Sequence, residues 1–68
     1  MNDELTYTES KVMDFVIKFL NKNQYIRPYN ISDKFKLSRS YASILLTRIA
    51  QKGHIVKEFQ GFYKLKGK

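Results

Sequence analysis

Cysteine is absent from this chain, which removes disulfides and thiolate metal sites and leaves the redox compartment open. Histidine occurs once, at His54, so no second imidazole is available to complete a metal site. Its position just after a helix-ending glycine suits a surface or capping role. Glycine is scarce as well, and none of it forms a phosphate-cradling loop. Acidic residues are few and not paired on a common helix face, as acid–base catalysis would need. No long apolar run could span a membrane, and the acidic, polar opening MNDEL is unlike a signal peptide. These absences set the expectation of a non-enzyme in the cytoplasm, without cofactor, metal, membrane partner or small-molecule ligand.

Positive charge is abundant and unevenly placed. The chain of 68 residues carries a net charge of +7, yet Asp3, Glu4, Glu9 and Asp14 hold most of its acid near the start. From Phe15 onward, 12 Lys and Arg face only Asp33 and Glu58, a local balance of +10. A small domain this basic suits a polyanion, and nucleic acid is the first candidate. A solvated lysine surface gives the same totals, so charge alone does not choose the anion. The length allows one domain over residues 1–68 and a core that a partner or a second copy would help to stabilise.

Residues 1–5 read as a loose end. Thr6 and Glu9 fit a capping box, and Val12, Phe15, Val16, Phe19 and Leu20 recur at helical spacing, which predicts a first helix over about 7–22. Met13 and Ile17 widen its apolar arc; they suit either the flank of the core or a homodimer seam. Tyr25-Ile26-Arg27 reads as a short extended piece before Pro28, able to pair with a hairpin as a third strand. Asn30 is the expected cap of a second helix, Ile31 to Phe35, with Asp33 near its start complementing the dipole.

Leu37 falls in a turn, Ser38 caps a third helix over 38–52, and Gly53 stops it. Ala42, Leu45, Leu46 and Ile49 form its buried stripe. The opposite face carries Arg39, Ser40, Ser43, Ile44, Thr47 and Arg48, with Tyr41 beside it. Small hydroxyls and arginines are groups that approach base edges and phosphates, and Ile44 suits a thymine methyl or an extra apolar contact. HIVKEFQGFYKL then reads as a β-hairpin. A three-residue Phe59-Gln60-Gly61 loop leaves only Gly61 left-handed, pairs Ile55 with Leu65 and Lys57 with Tyr63, and puts Phe59 at the tip. Lys57, Lys64 and Lys66 line its strands, with Lys68 beyond.

The fold class expected is therefore α+β: three helices and a small C-terminal β-hairpin. Residues 6 to 66 resemble the winged helix-turn-helix family of prokaryotic and viral transcription regulators, including the multiple-antibiotic-resistance repressors. The closest likeness lies in Leu37-Ser38-Arg39-Ser40-Tyr41-Ala42-Ser43, Leu45-Leu46, Ile49, Lys52-Gly53 and the GFYKL of Gly61 to Leu65. The resemblance implies a regulator that lays its third helix in the major groove of double-stranded DNA. DNA-contacting residues are then Ser38, Arg39, Ser40, Tyr41, Ser43, Ile44, Thr47 and Arg48, with Lys57, Lys64 and Lys66 on the wing. The family's long dimerising helices and ligand-binding segment have no counterpart here. Two alternatives stay open: a protein-interaction module docking through Ile44, Phe59 and Phe62, and a single-stranded DNA or RNA binder stacking bases on the wing aromatics.

Overall fold

A computed structural model describes residues Glu4 to Gly67. Helix α1 runs Tyr7–Leu20, α2 Pro28–Phe35 and α3 Arg39–Gln51; strands β1, Ile55–Phe59, and β2, Phe62–Leu65, follow. This is the α+β arrangement expected, three helices and an antiparallel hairpin in the winged-helix layout.

The capping box forms at α1. Thr6 Oγ1 accepts the Glu9 N–H at 3.2 Å, and the Glu9 carboxylate accepts the Thr6 N–H at 3.0 Å. Two otherwise unpaired helix-start donors are satisfied together. The helix stops two residues earlier than expected, where the Asn23 side chain and backbone N–H both donate to the Phe19 carbonyl. Glu4 and Leu5 are not loose: Lys52 Nζ donates to the Glu4 carbonyl at 3.0 Å and Leu5 packs against the core. Residues 1–3 lie outside the described residues, as does Lys68.

Helix α2 begins two residues before Asn30, which corrects the expected cap. Pro28 occupies the first helical turn, where its missing N–H costs nothing and its fixed φ already suits the helix. Asn30 still serves the helix start, from inside: its Oδ1 accepts the Arg27 N–H at 2.9 Å. Asp33 consequently sits past the first turn and is not the dipole partner expected of it. Lys36 takes the left-handed conformation, φ 58°, to turn the chain toward α3. That conformation strains most side chains other than glycine, asparagine and aspartate, and no residue pattern signalled it.

Ser38 caps α3 as expected, its Oγ accepting the Tyr41 N–H at 3.1 Å, and Gly53, φ 89°, ends it. Ala42, Leu45, Leu46 and Ile49 are all buried, against Val12, Val16, Ile26, Ile31, Ile55 and Tyr63 from every other element. Met13 belongs to this core, only 9% exposed, so it cannot contribute to a dimer seam; Ile17 is 43% exposed and can.

The hairpin pairs Ile55 with Leu65 and Lys57 with Tyr63, the expected register. Beyond Lys57 the pairing shifts by one and Phe59 pairs with Phe62. The tip is thus Gln60-Gly61, and Phe59 is a strand residue rather than the first of three loop residues. Gly61 is left-handed, φ 78°, as expected, while Gln60 is not. The extended piece before Pro28 does pair with the hairpin: Ile26 and Tyr63 exchange N–H···O bonds of 2.8 and 2.9 Å.

Candidate nucleic-acid interface

The sequence of α3 buries four residues, half-buries Ser43 and Ala50, and leaves the rest of its circumference to solvent. At about 100° per residue, the line opposite the buried stripe runs through Ser40, Ile44, Thr47 and Gln51. All four are exposed, Ile44 by 46%, so its reading as a core contact does not hold. Arg39 and Ser43 lie on one flank of this line, Tyr41 and Arg48 on the other. Nine positions separate Arg39 from Arg48, which sets them on opposite sides of the helix. The expectation grouped both arginines on one face; the helix divides them. Among the described residues no carboxylate lies within ion-pair distance of either.

Gln51 was not among the expected contacts, though its spacing from Thr47 and Ile44 identifies it. Gln51 is the one amide among these four residues, a side chain of a type able to pair both edge groups of an adenine. Ser38, by contrast, already spends an acceptor site on the Tyr41 N–H and is first a cap.

Behind the Arg48 flank stands a half-buried ion pair. Glu9, 2% exposed, joins Lys52 across 43 positions of sequence while still capping α1. The Lys52 ammonium and the Thr6 N–H hold the Glu9 carboxyl below its ordinary value of 4.5, against the opposing effect of burial, and the Arg48 charge adds to the lowering. The pair fastens the start of α1 to the end of α3 and so fixes the pose of the exposed helix.

The wing lysines are not a single row. Lys64 pairs across the strands with Val56 and Lys57 with Tyr63, which turns Lys57 and Lys64 to opposite faces of the hairpin. Lys64 Nζ is bonded to Glu58 at 3.0 Å, so its charge is already partly matched. Lys66 lies past β2, its ammonium near Gly53 at the carbonyl end of α3, while Lys57 is exposed.

A second cluster joins the wing to the turn before α2, and the sequence did not announce it. Tyr25, Phe59 and Phe62 meet edge to face, with ring centres 5.6 to 6.4 Å apart. The Arg27 guanidinium lies over the Phe62 ring at 4.9 Å and the Tyr29 ring at 4.7 Å. Pairing of Ile26 with Tyr63 brings these residues together. Local spacing carries no trace of it.

Among the described residues no helix is long and apolar enough to cross a membrane. Family models, curated proteins and solved structures return no match to this chain.

Proposed function

We propose that this chain binds double-stranded DNA through the major groove with α3 and acts as a sequence-specific regulator of transcription in the cytoplasm. The observation that carries the reading is the outer circumference of α3. Ser40, Ile44, Thr47 and Gln51 supply a narrow polar line with one apolar residue, and Arg39 and Arg48 flank it with no carboxylate within ion-pair distance among the described residues. A major groove about 12 Å wide admits a helix with its middle line toward base edges and its flanks toward the two phosphate walls. Arginines on both flanks fit that division: phosphate contacts fix position, and the line between them reads sequence. The surplus of positive charge over most of the chain supports the same partner.

A homodimer is part of the proposal through the exposed Ile17 and Tyr7 of α1, since Met13 is buried and Leu5 packs against the core. Two-fold dimers read half-sites about one helical turn apart.

Selection from a pool of random duplexes, followed by affinity and light-scattering measurements on the selected site, tests the reading. Gln51→Ala and Arg39→Ala should each weaken that site by roughly tenfold, as loss of a contact worth about 1–3 kcal/mol requires, and Gln51→Ala should also relax preference at one base position. Ile17→Glu should fold normally and lose affinity for a palindromic site only. No selected sequence, or selected binding indifferent to both α3 substitutions, defeats the proposal; one chain per site at saturation defeats its dimer component.

A further inference from the structure

We infer that the wing carries a stacking site for an unpaired nucleotide, so that the DNA bound by this protein includes a single strand running off the duplex read by α3. The inference rests on the duplex-binding proposal and adds a second DNA feature to it. Phe59 is the most exposed aromatic of the cluster at 57%, yet it is not a free-swinging side chain. Tyr25 and Phe62 brace it edge on, at interplanar angles of 69° and 84°, and Phe59 is itself paired with Phe62 in the hairpin. An exposed ring held by two neighbours at a strand end, and not packed on the core, is a stacking platform of the type that accepts any base face.

The second component is Arg27. Its guanidinium is pinned between two rings, donates to Tyr29 Oη at 3.0 Å, and has no carboxylate within ion-pair distance among the described residues. Exposed cations on a surface this basic are normally free to sample solvent; this one has its orientation fixed by aromatic faces. The Phe62 ring centre stands 4.9 Å from the guanidinium and 6.4 Å from the Phe59 ring centre, so the cation and the platform are within about 11 Å of each other. That is the reach of one or two nucleotides. The base goes to Phe59 and the phosphate to Arg27.

Duplex DNA alone cannot use this pair, because its bases are stacked on their own neighbours. A protein partner needs no cation here, whereas a nucleic-acid strand needs both a ring and a cation. Charge complementarity therefore favours the strand, with exposed Lys57 on the same wing adding to the attraction.

Anisotropy titrations with three DNAs test the inference: a blunt duplex bearing the selected site, the same duplex with a short oligothymidine tail of either polarity, and oligothymidine alone. The tail of one polarity should tighten binding about tenfold over the blunt duplex, as one stacked base would give. Phe59→Leu, which keeps apolar bulk on the wing, should erase that gain while leaving blunt-duplex affinity unchanged in a protein that circular dichroism shows to be folded. Arg27→Gln should reduce the gain and its salt dependence. The chain has no tryptophan, so Phe59→Trp introduces a single reporter whose emission should fall with tailed DNA and stay constant with blunt DNA.

A tail that brings no gain at either polarity overturns the inference and leaves duplex reading intact, and so does a gain that survives Phe59→Leu. Oligothymidine binding that depends on Phe59 without any blunt-duplex binding keeps the stacking site and removes the duplex reading beneath it. Failure of all three DNAs to bind removes both.

Discussion

Glu9 does two jobs with one carboxylate. It closes the start of α1 by accepting the Thr6 N–H, and it neutralises Lys52 at the end of α3. Because its folded-state pKa lies below the ordinary 4.5, the stability it contributes is fully present above that value and is lost as pH falls through the folded value. Glu9→Gln separates the jobs, since glutamine also serves a capping box but carries no charge. At pH 7 the substitution should cost about 1–3 kcal/mol, typical for a hydrogen bond to a charged group. Melting curves from pH 7 down to pH 3 should show the difference between wild type and Glu9→Gln shrinking below about 4.5, because protons then bind the carboxyl of the unfolded chain before that of the folded one. Parallel curves over that range would mean that the ion pair contributes nothing. The first of Glu9's jobs was legible in the sequence and the second was not. A cap spans three positions and follows from residue type; an ion pair across 43 positions exists only once α1 and α3 are packed. Gly53 and Gly61 were legible for the same local reason, being the left-handed residues that a helix end and a tight turn require. Lys36, left-handed without being glycine, was not.

Elements with a long apolar period were readable and short ones less so. Helices α1 and α3 fell within two residues of their expected bounds because their buried positions repeat at helical spacing over about two turns. At α2 the proline was read as a boundary, whereas Pro28 opens the helix and Asn30 caps it backward. In the hairpin the register was fixed by the need to turn Ile55 and Leu65 to one face. The shift after Lys57 offered no such constraint, because every residue near the tip is partly or fully exposed. The outward line of α3 was partly legible: its hydroxyls were recognised, while Gln51 and the separation of the arginines became clear only from the helix bounds. On the wing, the geometry separates lysines that composition treats alike. Lys57→Ala should lower the salt slope of duplex binding by about one unit, the signature of one phosphate contact. Lys64→Ala should lower it by clearly less, since Glu58 already matches that charge. Equal reductions for the two would show that the Glu58 pair opens on DNA; no reduction for Lys57 would remove it from the interface.

For the molecule as a whole, the buried residues of all five elements form one cluster, and the exposed circumference of α3 is what the cluster leaves over. Charge and core were visible from sequence, but the way the wing meets the helices was only half visible. An extended piece was expected to join the hairpin; the aromatic and cationic residues it brings along were not. That junction also bears on the order in which the chain assembles. Ile26 and Tyr63 are 37 positions apart, so closing their two hydrogen bonds is costly until the helices have shortened the path between them. The hairpin itself and the α2–α3 hook are sequence-local and form without it. The bridge should then set as a latch after the rate-limiting step. A methyl removed by Ile26→Val, at about 0.5–1.5 kcal/mol, should appear almost wholly as faster unfolding, with the refolding limb of the chevron unmoved. A slower refolding limb would place the bridge in the folding nucleus instead. If the latch closes last, it also opens first, and the wing is then held by the burial of Ile55 and Tyr63 against the helices.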